Sequence, residues 1–141
     1  MTDKLAIIGS RGFPNMDIVR NLVSIQDKAT VIVSGTEIHT DNRKRYEDVD
    51  WVALMAAWLQ NRNIIGIPAN WDGQGKSAGF IRNALIAEVA DRCYAFWDGE
   101  SRGTENTIDH FRKLGKQVEI MFPNGKYICH DAESSLLDWN T

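Results

Sequence analysis

Cysteine and proline are scarce in this 141-residue chain, two of the first and three of the second, and no apolar run approaches the roughly 18 residues of a membrane span. No membrane-spanning helix is expected. Cys93 and Cys129 stand far apart, with neither a CxxC pair nor a Cys/His ligand spacing, so neither a disulfide nor a zinc site is expected. Both thiols are expected to be reduced and at least half-buried, as in a cytoplasmic protein. Met1 to Leu5 meets Asp3 with no basic start leading into an apolar run, so no secretory leader is expected there. An excess of positive charge is missing too. The 16 Lys+Arg against 19 Asp+Glu give a formal charge of -3, which argues against a protein that coats nucleic acid polymers. A small anion in one local pocket stays compatible with that balance.

What is present suffices for a core. With 43% hydrophobic and 25% charged residues, the chain reads as one compact domain over 1–141, long enough to bury about two-thirds of its unfolded surface. Lys4 to Ile8, Thr30 to Val33, Ile64 to Ile67, Arg92 to Trp97 and Gln117 to Phe122 read as strands. Between them run four helical stripes. Ile18, Val19, Leu22 and Ile25 form the first, Val52, Met55, Ala56 and Leu59 the second, and Ala78, Ile81, Leu85 and Val89 the third. The fourth, Glu105 to Leu114, packs through Ile108 and Phe111, and Gly115 is placed to stop it. Thr36 to Asp48 is the most polar segment and reads as an exposed loop, while Pro123-Asn124-Gly125 signals a hairpin into Lys126 to Cys129. This alternation predicts an α/β fold. It is expected to be a Rossmann-like three-layer α/β/α arrangement, with a mostly parallel sheet of about five strands and a C-terminal hairpin.

In such sheets the ligand lies outside the C-terminal ends of the strands. The turns there are Gly9 to Pro14, Ser34 to Thr36, Pro68 to Lys76 and Trp97 to Thr104. Glycine beside serine or threonine at a helix start lets backbone N–H groups approach a phosphate, and the helix dipole favours its charge. Ser10, Ser34, Thr36, Ser77 and Thr104 have this setting. Each also suits an ordinary turn or N-cap, so it is the convergence of several on one edge that favours a site. The nearby cations are Arg11, Lys76, Arg82 and Arg102, and Arg82, early on its helix, is suited to bidentate pairing with phosphate or carboxylate. Trp71 and Trp97 are candidates either for stacking on a base or for capping the core. No Walker A sequence, GxGxxG fingerprint or GxSxG elbow occurs, and His39, His110 and His130 lack metal-ligand spacing. An ATPase and an NAD-dependent dehydrogenase are disfavoured, and no metal is expected. Arg43-Lys44-Arg45 is balanced by Asp41, Glu47, Asp48 and Asp50 and reads as a solvated loop.

The segment Pro68-Ala-Asn-Trp-Asp-Gly-Gln-Gly-Lys-Ser-Ala-Gly-Phe-Ile-Arg-Asn83 is similar to the P-A-D-W-x-x-x-G-K-x-A-G-x-x-R-N signature of the YspA-like, YpsA-related branch of the SLOG superfamily. Gly9-Ser-Arg11 resembles that branch's G-x-R, Val33-Ser-Gly35 its S-G, and Arg102-Gly-Thr104 its late G-T turn. The resemblance runs from about Ala6 to Ile120. It implies a Rossmann-like domain that binds a nucleotide or nucleotide-derived signal at the strand edge, without a cofactor. The positions so implied are Gly9, Arg11, Ser34 and Gly35, then Asn70, Trp71, Gly75, Lys76, Gly79, Arg82 and Asn83, and finally Gly103 and Thr104. Ser10 and Thr36 join them from the reading of the turns. A homodimer or higher homo-oligomer is also an expectation, since dimers are common in the superfamily.

Two departures bear on function. After Ser34-Gly-Thr36 the family's S-G-G-A-x-G-x-D is interrupted, and Val49-Asp50-Trp51 resembles its displaced end. Some relatives hydrolyse nucleoside monophosphates to base and ribose phosphate with P-G-G-x-G-T-x-x-E. Here Gly99 to Thr107 places Thr107 where that glutamate belongs. Binding, as a sensor or sequestering domain, is therefore the expected role. Hydrolysis is the alternative, with Arg82 steadying the ribose phosphate and Glu105, or Glu100, as a displaced acid.

Overall fold

The computed structural model describes residues 2–36 and 48–131, apart from the side chains of Trp71, Asp72 and Lys76. Between its end residues, the polar segment expected as a loop lies outside the described residues. The strands are β1 (Lys4–Gly9), β2 (Val31–Thr36), β3 (Ile64–Pro68), β4 (Arg92–Phe96), β5 (Gln117–Met121) and β6 (Tyr127–His130). They form one sheet in the order β3-β2-β1-β4-β5-β6. The first five strands are parallel, and β6 returns antiparallel to β5 through the expected hairpin, with Gly125 at φ +87°. The α/β class and the Rossmann-like architecture are as the sequence predicts.

Apolar runs in β1 and β2 are continuous because both strands are covered on two sides. On one face α1 (Met16–Ile25) and α2 (Val49–Leu59) pack over Leu5, Ile7 and Ile32. On the other, α4 (Ala78–Val89) and α5 (Arg102–Lys113) pack over Ala6, Ile8 and Val33. The short α3 (Trp71–Gln74) and a 3-10 turn (Gly75–Ser77) lead into α4. After β3 the chain passes back across the sheet to set β4 beside β1, so the strand order reverses there. That reversal opens a crevice at the C-terminal ends of β1 and β4. Among the described residues no helix is long and apolar enough to cross a membrane.

Two cations fasten helix ends to the frame. The buried Arg62 donates to the carbonyls of Ser24, Gln26 and Asp27 at 2.9–3.2 Å, holding the end of α1. Lys116 Nζ donates to the carbonyls of Ala87, Glu88 and Ala90 at 2.6–3.2 Å, closing α4. Both satisfy carbonyls that a helix terminus leaves without an internal partner.

Four expectations about faces need correction. On α1 the buried residues are Val19 and Val23, and Ile25, at the end of the helix, is exposed. On α4 the buried residues are Ala78, Asn83, Ile86 and Ala87, while Ile81 and Leu85 are exposed, because Asn83 turns inward to bond α5. On α2 the buried set is Val49, Val52, Ala53, Leu54, Ala56 and Ala57, with Met55 and Leu59 on the outside. Cys93 is buried in β4 as expected, but Cys129 is exposed, since β6 is an edge strand and its alternate residues face out. Burial also pushes the Cys93 thiol well up from its ordinary pKa.

Candidate functional site

A cavity of about 210 Å³ lies at the reversal of strand order. Its walls come from four turns and the helices they start. Gly9 is the last residue of β1 and Arg11 follows it, Gly35 is next to last in β2, and Asp48 and Asp50 stand at the start of α2. Arg82, Asn83 and Ile86 come from α4, and Ser101, Gly103, Thr104 and Thr107 from the start of α5.

Glycine at position 35 has a steric reason. A Cβ there would lie 2.5 Å from Arg82 Nη1 and 3.0 Å from Asp50 Oδ2, so these two side chains converge on the bare backbone. At Gly9 a Cβ would meet Val49 Cγ2 at 2.6 Å and the Phe96 carbonyl at 2.7 Å, where β1, β4 and α2 close up. The glycines of the turns thus let charged groups and helix starts approach the strand ends.

Hydroxyls and amides tie the cavity walls together. Ser10 N–H donates to the Phe96 carbonyl at 2.9 Å, and Ser10 Oγ accepts from Asp98 N–H at 3.1 Å and lies 3.5 Å from Thr104 Oγ1. Ser101 caps α5, its Oγ accepting from Thr104 N–H at 3.4 Å. Asp98 Oδ1 accepts from Glu100 and Ser101 N–H, both at 2.8 Å, shaping the turn before that cap. Burial opposes its ionisation, yet these N–H groups and the Ser10 hydroxyl outweigh burial and hold the Asp98 carboxyl below its ordinary pKa. Asn83 Nδ2 donates to the Gly103 carbonyl and to Asn106 Oδ1, both at 3.2 Å. Arg82 is steadied in turn, its Nε donating to Asn83 Oδ1 at 3.0 Å and its Nη1 to the Thr36 carbonyl at 3.5 Å.

Of the two acids in the lining, Asp48 and Asp50, it is Asp50 that bonds the end of β1. Its Oδ1 accepts from Gly9 N–H at 3.2 Å. Burial raises its pKa, the Arg82 charge, the Gly9 N–H and the nearby Ser34 hydroxyl pull it back, Asp48 pushes it up, and the balance is about 6. The chemistry is that of a partly neutralised anion site: the guanidiniums of Arg11 and Arg82, a helix start with hydroxyls, and the carboxyls of Asp48 and Asp50. Among the described residues no group of three or more His, Cys, Asp or Glu is placed to hold a metal ion.

Of the residues expected at the site, Gly9, Arg11, Gly35, Arg82, Asn83, Gly103 and Thr104 line this one cavity. Ser10, Ser34 and Thr36 stand directly behind its wall through the bonds above and through Ser34 Oγ, which donates to the Ile7 carbonyl at 2.6 Å. Asn70, Gly75 and Gly79 are not in the lining, and Asn70 Oδ1 instead accepts from Gly73 N–H at 3.0 Å to build its own turn. The side chains of Trp71 and Lys76 lie outside the described set. Glu100 and Glu105 are exposed and outside the lining, whereas Thr107 is in it. The turn reading missed Asp50 and Ser101. Asp50 follows the long polar segment rather than a glycine turn, and its one signal was the likeness of Val49-Asp50-Trp51 to a displaced motif end. Ser101 was hidden because α5 starts at Arg102, earlier than the expected Glu105, which turns Ser101 into its N-cap.

No family model matches the sequence, and no curated protein matches it. Among solved structures, the X-ray structure of DNA processing protein A (DprA) from Streptococcus pneumoniae is similar, with a TM-score of 0.66 at 18% identity. The match covers 85% of this chain and 50% of that one, so this chain spans about half the length of that protein. The likeness establishes a common Rossmann-like fold.

Proposed function

We propose that this domain is a cytoplasmic SLOG-type module of the YspA-like branch, which binds a nucleotide or nucleotide-derived signalling molecule, sensing or sequestering it. One observation carries the reading: turns far apart in sequence meet in one cavity at the reversal of strand order, with Arg82 and the N-terminus of α5 both in its wall. Phosphate suits that helix start, where N–H groups lack internal partners and the dipole favours an anion. Arg82 supplies the countercharge and Ser101 and Thr104 the hydroxyls. The fold shared with DprA is compatible with such a domain.

Mass spectrometry of small molecules released from gently purified protein is the direct test, together with a thermal-shift panel of AMP, CMP and GMP. A ligand at a hundred times its dissociation constant adds ~2.7 kcal/mol of stability, a clear rise in melting temperature. Arg82→Ala should abolish that rise. If no nucleotide stabilises the wild type and none co-purifies, the reading fails. Hydrolysis of a nucleoside monophosphate keeps one point of support, the raised pKa of Asp50 inside the cavity, whereas Glu105 lies outside its lining. Steady release of free base from AMP would replace the binding reading with that one.

A further inference from the structure

A carboxylate on the wall of an anion site is an anomaly. Ionised, Asp50 repels a phosphate that Arg82 attracts, and its partial burial costs stability at neutral pH. A position where aspartate harms both folding and simple anion binding is explained by what it recognises. An ionised carboxylate only accepts hydrogen bonds, and has about four lone-pair positions to fill. Gly9 N–H fills one on Oδ1 at 3.2 Å, while the nearby Ser34 hydroxyl gives its proton to the Ile7 carbonyl. Oδ2 faces the bare backbone of Gly35, beside Arg82, at the cavity wall. An occupant that offers donors at Asp50 and an anion at the α5 start matches both groups of the wall.

Vicinal hydroxyls on a phosphorylated sugar have that polarity. At about 210 Å³ the cavity is smaller than the roughly 300–1,000 Å³ typical of sites that enclose a drug-sized ligand, so it suits the sugar-phosphate part of a molecule. We infer that Asp50 is a specificity-determining residue, whose carboxylate accepts hydrogen bonds from the ribose hydroxyls of a ribose 5-phosphate unit while Arg82 and the α5 start hold its phosphate. The inference rests on the binding function proposed above. The shared chemistry is an unmodified ribose 5-phosphate, whether free or part of a nucleotide.

The experiment is calorimetric titration of the full chain with ribose 5-phosphate, 2-deoxyribose 5-phosphate, AMP and 2′-deoxy-AMP, for wild type, Asp50→Ala and Asp50→Asn. Loss of a hydrogen bond to a charged acceptor predicts that each ribo compound binds wild type about ten- to a hundredfold tighter than its deoxy partner. That ratio should fall to within about twofold in Asp50→Ala. Asp50→Asn keeps an acceptor for Gly9 N–H and guards against a folding defect, and its ratio should lie between the two. In wild type the ratio should also shrink below about pH 6, as Asp50 is protonated among the other charged groups of the cavity, Arg82, Asp48 and Arg11. Because both members of a pair carry the same phosphate, its own titration cancels. AMP binding as tightly as ribose 5-phosphate identifies a sugar phosphate as ligand, and tighter AMP binding identifies a nucleotide. Equal binding of ribo and deoxy forms by wild type, or a ratio unchanged in Asp50→Ala, overturns the role of Asp50 and leaves the binding function standing. If no phosphorylated probe binds wild type, both fall.

Discussion

Burial of the Asp50 carboxyl costs stability once it ionises, and the sign of that cost can be measured. A carboxyl titrates near 3.8 in the unfolded chain and Asp50 near 6 in the fold, so the native state binds that proton more tightly. Stability from this group is therefore lost as pH rises from about 4 to about 6, with the full cost present above that window. The interval corresponds to roughly 3 kcal/mol at 1.36 kcal/mol per pH unit. Asp50→Asn is expected to stabilise the protein by on the order of 1–3 kcal/mol at about pH 7.5, with no gain near pH 4. Thermal unfolding at the two pH values checks this, and an equal gain at both would show that Asp50 titrates normally. Two of the cavity's glycines predict opposite outcomes. Gly35→Ala pushes on the far end of Arg82, which can swing aside, so folding should change by less than about 1 kcal/mol while AMP affinity falls. Gly9→Ala pushes on the Phe96 carbonyl and Val49, which cannot, and should cost about 1–3 kcal/mol in denaturant unfolding. The sequence shows that glycines cluster at the turns, but not which contact each relieves, because those contacts come from other elements.

At the scale of elements, periodicity placed the helices but misjudged their faces. In α4 a pattern of branched residues points to Ile81 and Leu85, yet the structure turns Ala78, Asn83, Ile86 and Ala87 inward. The small residues and the Asn83 bonds to Gly103 and Asn106 bring α5 close, and this close approach sets Arg82 in the cavity. A polar position bonded to the neighbouring helix has overridden the local hydrophobic rule. The strands were easier to place because β1 and β2 are covered on both sides and read as unbroken apolar runs. Arg62 was not legible at all, since its role depends on the end of α1 coming to meet it. Arg62→Met removes its bonds to three carbonyls and should destabilise the protein by about 2–4 kcal/mol in urea unfolding. A loss under about 0.5 kcal/mol would show that water replaces those bonds fully.

Among the described residues, a group of exposed apolar side chains stands at one edge of the sheet. β3 is an edge strand of the sheet, and around it stand exposed Trp58 and Leu59 at the end of α2 and exposed Phe80, Ile81 and Leu85 on α4. Exposed apolar groups beside an open strand edge suit a second copy of the same chain related by a two-fold axis. Light scattering at tens of micromolar should give a dimer mass, and Leu85→Glu should give a monomer; a wild-type monomer throughout would refute the prediction. Opposite that edge, the two thiols differ in access. Cys129 stands in the open on β6, while Cys93 is sealed in β4. A thiol reagent should therefore count one cysteine in the native state and two after unfolding. The slow capture of Cys93 then becomes a clock for opening of the central sheet. Any ligand of the cavity between β1 and β4 should slow it, which gives a readout of binding that needs neither a label nor a substrate.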